Sequence, residues 1–415
     1  MRVYKFGGAS VKDAEGIRNI TGIVNKASQP LVVVVSAMGK MTNALEELSH
    51  YYFDKNGQML RVIFEKIMTY HRSVIKDLLG DENSSEGFNE MALRLEEKLK
   101  AAPSMHFDFE YDQIVSFGEL MATKIIADYW QKCGMTNSWV DIRKLLKTDD
   151  LYRDANVDWE LTSELMRMTF AESGAGLQLT QGFLGATINN LTTTLGREGS
   201  DYTAAIIAYA MDAEDVTIWK DVPGVLNADP RWYPDAVMIN ELSYNEAIEL
   251  SYYGAQVIHP KTLKPLQNKN IPLYVKSFEK PLEKGTVICK REGISEQVPV
   301  YILKRQQMFL TVSPKDFSFI MEDKLIEIIS IFSHYRIKMN LMQNSALNFS
   351  ACFDDNGLTS NLLDSLKENF VVRYNQGVSL LTIRQYTPEA IEKMTQDREL
   401  IDSQITRKVA RFVLK

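Results

Sequence analysis

Apolar and polar positions follow two different grammars along the 415 residues. Val3–Phe6 reads as a short strand that ends at Gly7-Gly8, and Ile17, Ile20 and Val24 then recur near helical spacing until Pro30. Leu31–Val35 is an unbroken apolar run. Such a run marks a strand covered on both faces of a parallel sheet. Strand, glycine turn, helix and strand together make a βαβ unit. From about 42 to 130 the period becomes helical, with Leu45, Leu48 and Tyr52, and later Met91, Leu95 and Leu99. This predicts a helical insertion in an α/β domain, with a polar loop around 80–90. The α/β rhythm then returns. Strands are predicted at Ser138–Asp141, Leu177–Gly182, Thr192–Leu195, Asp215–Trp219 and Pro272–Ser277, with a helix over Asp201–Met211. Ser243-Tyr244-Asn245-Glu246 has the form of a capping box opening a further helix.

A boundary is predicted near 280–298, beyond which the pattern changes. A strand at Met308–Val312, a helix at Glu322–Tyr335, strands at Lys338–Gln343 and Asn348–Phe353, a helix at Ser360–Phe370 and a strand at Val371–Tyr374 spell βαββαβ. A second start follows, with a strand at Ser379–Gln385, a helix at Pro388–Gln396 and strands at Leu400–Ile405 and Val409–Leu414. It stops before a last helix and strand, so the tail reads as a repeat with its second copy cut short. The expected domains are 1–285, 298–378 and a truncated unit 379–415.

Composition narrows the function. Acidic residues outnumber basic ones, 54 to 47, for a net charge of −7. Neither a basic excess nor a basic stripe is present, which argues against nucleic acid as a partner. Cys133, Cys289 and Cys352 are far apart and the five histidines have no metal-ligand spacing, so neither a disulfide framework nor a zinc site is suggested. There is no signal-like apolar segment after Met1, and the longest branched run is far too short to span a bilayer. The expectation is a cytoplasmic protein, not on a membrane, that works on small molecules.

Five motifs carry candidate chemistry. In Lys5-Phe6-Gly7-Gly8-Ala9-Ser10-Val11, two glycines after a strand let backbone N–H groups approach an anion, and Lys5 adds a full charge. Thr194-Leu195-Gly196-Arg197-Glu198-Gly199-Ser200-Asp201 repeats strand, glycine turn and helix, now with an arginine fork suited to a carboxylate or phosphate. Asp201 stands at the helix start, where a plain N-cap is the simpler reading. Trp219-Lys220-Asp221-Val222-Pro223-Gly224 puts charge at a strand end. Ser116-Phe117-Gly118-Glu119 places a carboxylate at a helix start, and Ser36-Ala37-Met38-Gly39 with Thr42 follows the apolar strand. Each alone fits an ordinary turn or cap. Together they follow apolar strands, and a parallel sheet gathers such turns at one edge. That edge suits phosphoryl transfer between two anions, where catalysis is mostly positioning and charge stabilisation. A GxxxxGK[ST] loop is absent, as are HRD and DFG, which excludes P-loop and protein-kinase machinery.

As a set the five motifs resemble the aspartokinases of the amino-acid kinase superfamily. Lys5–Val11 is similar to a KFGGTSV opening and Thr194–Ala205 to TLGRGGSDxTA, and the tail resembles tandem ACT domains. The resemblance implies an amino-acid kinase fold, a mainly parallel sheet in an α/β/α sandwich. It implies ATP-dependent phosphorylation, with Mg²⁺, of the β-carboxylate of L-aspartate to 4-phospho-L-aspartate, the first step towards lysine, threonine and methionine. It also implies roles. Lys5 and Asp201 would be catalytic. Thr42, Glu119, Arg197, Gly199 and Ser200 would bind substrate, with Arg197 on the α-carboxylate and Glu119 on the ammonium. Lys5, Phe6, Gly7, Gly8, Ser36, Lys220, Asp221, Leu226, Arg231 and Gln256 would hold ATP, and no protein metal site is implied. Feedback by lysine or threonine and a homodimer, or a higher oligomer, through the ACT region are further expectations. Departures are Ala9 for Thr, Glu198 for Gly, Leu226 for Tyr and Gln256 for Lys. Two other readings remain at this stage: another amino-acid or carbamate kinase, and a catalytically dead amino-acid sensor. A fused dehydrogenase is excluded by length and the lack of GxGxxG.

Overall fold

The computed structural model describes residues 1–172, 176–255, 258–291, 298–316 and 318–415. The chain divides into two compact units. The first comprises Met1–Val225, Met238–Ile248 and Gln256–Gly293; the second comprises Leu226–Val237, Glu249–Ala255 and Ile294–Lys415.

The first unit is built on an eight-stranded sheet. Its centre holds β1 (Arg2–Phe6), β2 (Leu31–Val35) and β4 (Leu177–Gln181), with β3 (Asn137–Val140) at one edge. On the other side of β1 lie Asp215–Lys220, Leu273–Ser277, Thr286–Cys289 and Glu241–Ser243, in that order. Every neighbouring pair is parallel except Leu273–Ser277 with Thr286–Cys289. All five side chains of β2 are buried, as its unbroken apolar run requires. Fully burying a valine-sized side chain contributes about 1.5–3 kcal/mol, so β2 anchors the middle of the sheet.

Register then positions the loops. Phe6 stands beside both Val35 and Trp219, Val35 beside Gln181, and Lys220 beside Ser277. Five strands therefore end level, and the turns after them meet at one edge. Helix α8 (Gly199–Ala210) packs on β1 and β2 and is buried on nearly all sides, which explains its run of Ala and Ile. The insertion is five helices: α2 (Met41–Phe53), α3 (Gly57–Leu79), α4 (Glu86–Lys100), α5 (Phe107–Val115) and α6 (Phe117–Lys132). Trp130 Nε1 donates to Thr21 Oγ1 at 3.0 Å, pinning α6 to α1 (Ala14–Asn25). The expected capping box is present, with Glu246 N–H donating to Ser243 Oγ and Ser243 N–H to Glu246 Oε2.

The second unit is a six-stranded antiparallel sheet in the order Met339–Asn344, Phe349–Asp354, Val300–Pro314, Phe370–Arg384, Val409–Leu414 and Leu400–Ile405. Two of these strands are longer than the sequence suggests. Val300–Pro314 contains the predicted Met308–Val312, and Phe370–Arg384 joins the predicted Val371–Tyr374 and Ser379–Gln385 into one strand. The expected join at 378–379 falls inside it. Polar residues interrupt the apolar pattern at Gln306-Gln307 and Asn375-Gln376-Gly377, but the backbone only bulges there: Gln306 and Gly377 take φ of 55° and 68°, and the pairing shifts between Lys304 and Phe309. The strand that the truncated repeat lacks is supplied from upstream, because Val300–Lys304 pairs with Leu380–Arg384. Separate cores lie under the two halves. One holds Met308, Phe332, Phe353 and Leu366; the other holds Tyr301, Leu381, Ile383, Met394 and Phe412.

Candidate active site

The level strand ends of the first unit enclose a cavity of about 750 Å³. It is lined by Lys5 near the end of β1, Gly7, Gly8 and Ser10 after it, Ser36 and Thr42 after β2, and Phe183 after β4. Lys220, Asp221 and Phe278 close the same edge, and Arg197 to Asp201 enter from the start of α8. The turn after β1 fits tightly against the turn after β2. A Cβ on Gly8 would lie 2.7 Å from the Ala37 carbonyl oxygen and 2.8 Å from that of Gly39. Similarly, a Cβ on Gly182 would meet Ser200 Cα at 2.7 Å, so the start of α8 sits directly on the end of β4. Glycine is required at both positions by this close approach rather than by turn conformation.

Two buried carboxylates face this cavity with opposite electrostatics. Asp201 lies in the first turn of α8, three residues after Glu198, which takes the N-cap position. Asp201 is thus not the helix cap. It is 3% exposed, and its Oδ1 stands 2.6 Å from Lys5 Nζ, with Lys220 Nζ 4.0 Å from Oδ2. Burial works against its charge, but Lys5 and Lys220 together hold the carboxyl below its usual range. Glu119, in the first turn of α6, is 2% exposed. Its Oε1 accepts the Ala37 N–H at 3.1 Å, while Oε2 has no hydrogen-bond partner among the described residues. Burial pushes it up to about 8, opposed by the Ala37 N–H and the charge of Lys5.

Arg197 is exposed on the cavity and makes no hydrogen bond or ion pair with a described residue. Its neighbour Glu198, at φ 55°, also lines the cavity, and its Oε2 accepts the His259 N–H at 2.9 Å, placing a carboxylate at the start of the helix Pro260–Lys269. The cavity therefore presents a paired lysine–aspartate couple, a guanidinium with no partner among the described residues, a carboxyl with one free oxygen and several backbone amides.

Most of the expected site residues converge here: Lys5, Gly7, Gly8, Ser36, Thr42, Glu119, Arg197, Gly199, Ser200, Asp201, Lys220 and Asp221 all line the cavity. Phe6 does not. Its ring is fully buried and stacked on Trp219 at 5.9 Å, and its carbonyl accepts the Ser36 N–H, so it serves the core. Leu226 and Arg231 belong to the second unit, where Arg231 is exposed and grips Asp229 with Nε at 3.0 Å and Nη2 at 2.6 Å. Gln256 lies outside the described residues. Sequence reasoning missed Glu46, Tyr111, Arg153, Phe183 and Phe278 as lining residues. Phe183 and Phe278 follow the ends of parallel strands, so the strand-end rule alone could have nominated them. Nothing local marks Tyr111 or Arg153.

Among the described residues no cluster of three or more His, Cys, Asp or Glu could hold a metal ion, and no helix is long and apolar enough to cross a membrane.

Comparison with known proteins agrees with this geometry. Residues 1–277 match the model of the amino acid kinase family. Lysine-sensitive aspartokinase 3 of Escherichia coli is 31% identical over 398 residues, which is 92% of this chain and 86% of that protein. The crystal structure of E. coli aspartokinase III with lysine and aspartate superposes with a TM-score of 0.83 at 28% identity, covering all of this chain and 95% of that one. The same enzyme with aspartate and ADP gives 0.79 at 27% identity, covering all of this chain and 96% of that one. A family match over two thirds of the chain, and a relative matched along nearly its whole length, place the chain in the amino acid kinase family as an aspartokinase.

Proposed function

We propose that this aspartokinase transfers the γ-phosphoryl group of ATP to the β-carboxylate of L-aspartate, giving 4-phospho-L-aspartate and ADP. One observation carries the reading: the Lys5–Asp201 pair, the free Oε2 of Glu119 and an Arg197 with no partner among the described residues line a single cavity. An α-amino acid offers an ammonium and a carboxylate at its Cα, matching Glu119 and Arg197 in charge. Its side-chain carboxylate is then directed towards Lys5. That carboxylate is already the nucleophile, so no general base is needed. Lys5 neutralises charge on the transferring phosphoryl group, Asp201 keeps the ammonium of Lys5 in place, and the amides of Gly7 and Gly8 cradle phosphate oxygens. Hydroxyls of Ser36, Thr42 and Ser200 fix orientation.

Magnesium fits this cavity only as an ion carried on the nucleotide. Asp201 is engaged by two lysines and Asp221 is exposed, so the described residues of the cavity offer no oxygen cage. An ion that keeps its waters and binds through phosphates suits such a lining; it would supply charge neutralisation between the β- and γ-phosphates. A cytoplasmic setting, a homodimer through the antiparallel sheet unit and regulation by lysine or threonine complete the reading.

Hydroxylamine trapping tests it. With ATP and aspartate the expected product is aspartyl hydroxamate, with glutamate at least about 100-fold less effective, because one extra methylene misplaces the reacting carboxylate. Absence of hydroxamate from aspartate would overturn the reading.

A further inference from the structure

Asp112 lies on α5 in the helical insertion and is fully buried. Its side chain holds two segments that are far apart in sequence. Oδ2 accepts the Arg153 N–H at 3.0 Å and the Thr194 N–H at 2.9 Å, and Oδ1 pairs with Thr194 Oγ1 at 2.8 Å. Burial raises its pKa to about 6, opposed by these same bonds, so near neutral pH it is a charged acceptor facing backbone donors.

Both segments lead into the cavity. Arg153 lines it, with φ of 70°, a left-handed conformation that a non-glycine residue keeps only where its surroundings enforce it. Its guanidinium lies 4.3 Å from the centre of the Tyr111 ring, with Glu46 at 3.5 Å and Asp108 at 3.3 Å. The next residue, Asp154, pairs with Lys261 and packs on Gly196, where a Cβ would meet Asp154 Oδ1 at 2.6 Å. Ala155 N–H donates to the Thr194 carbonyl at 3.0 Å. The 153–155 turn and the Thr194–Arg197 segment thus rest on each other, and among the described residues Asp112 is the one side chain that accepts from both.

We propose that Asp112 is a positioning residue for the amino-acid substrate, acting through Arg153 and Thr194 to set the turn that carries Arg197. The inference rests on the aspartate-kinase reading. Asp112 touches neither the Gly7–Gly8 cradle nor Lys5, so its influence falls on the amino-acid half of the cavity and not on the nucleotide half.

Steady-state kinetics on the full chain test this with Asp112→Asn and Thr194→Val, each beside wild type. Asn keeps one acceptor oxygen and presents an NH₂ to a donor; Val removes only the hydroxyl bond. For Asp112→Asn the KM for aspartate should rise at least tenfold, with the KM for ATP within twofold. Thr194→Val should show the same split at about threefold, and Thr194→Ser should restore wild-type values. A role in stability alone would lower Tm and leave both KM values in place; that result, or both KM values rising together, overturns the proposal. If Asp112→Asn does not fold, Thr194→Val decides by the same split. A wild-type chain that forms no aspartyl hydroxamate would instead bring down the parent reading.

Discussion

Two sets of charged residues in the cavity behave in opposite ways. Lys5, Asp201 and Lys220 form one network in which Asp201 is held ionised. By contrast, Arg197 has no partner among the described residues and Glu119 is left with a free oxygen and a strongly raised pKa. A group that must act on a transition state gains from being fixed before substrate arrives. A group that must bind substrate can be left unsatisfied, because the ligand then supplies the missing partner and the binding energy. Loss of the first set should show in turnover and loss of the second in affinity.

The largest effect is expected at Lys5. Lys5→Ala should lower kcat by about 10³-fold, the order seen when a preorganised charge-stabilising donor is removed. Asp201 is then left buried beside Lys220 alone, which should cost about 3 kcal/mol of stability. Circular dichroism should still report a folded chain. A variant with substantial residual kcat would erase the distinction between the two sets.

Arg197→Ala comes next. Loss of a charge-assisted contact of about 1.5–3 kcal/mol corresponds to a tenfold to 150-fold rise in KM for aspartate. The KM for ATP should move less than threefold, and Tm should be unchanged because the guanidinium makes no hydrogen bond or ion pair with a described residue. Equal shifts in both KM values would contradict its assignment to the amino acid.

Glu119 gives the finest test. With its pKa near 8, the group is protonated in the free protein at neutral pH. The substrate ammonium favours the carboxylate, so binding releases a proton below pH 8. Aspartate affinity should therefore climb up to about tenfold per pH unit towards 8 and level off beyond it; a flat profile between pH 6 and 8 would break the argument. The folded value also lies above the ordinary 4.5, so ionised Glu119 destabilises the fold, and the loss accumulates as pH rises from about 4.5 to 8. Glu119→Gln removes that term. It should raise Tm at pH 8.5 by about 2–4 °C while weakening aspartate binding, and a fall in Tm would show that the carboxylate is structurally needed.

Much of the lysine–glycine part of the site was legible because it is local. Lys5, Gly7 and Gly8 lie within four residues at one strand end, and an apolar run such as Leu31–Val35 announces both a buried parallel strand and the turn after it. Glu119 and Arg197 were legible as charged residues in turns and caps, but their unpaired state was not, since that depends on what fails to approach them. Asp112 carried no signal: its partners are 41 and 82 residues away. Phe6 misled for the opposite reason, as a neighbour of the glycine turn whose side chain points into the core. In the tail, the polar stretches at Gln306-Gln307 and Asn375–Gly377 imitated strand ends, because a bulge and a turn use the same residues.

The two fifteen-residue strands of the antiparallel sheet bear on how this enzyme can be re-engineered. Because each runs unbroken beneath both cores, excising or transplanting either half would sever a backbone that the other half needs. Replacing this sheet would therefore require exchanging 298–415 as one piece, and chimeras joined at 378–379 should come out insoluble.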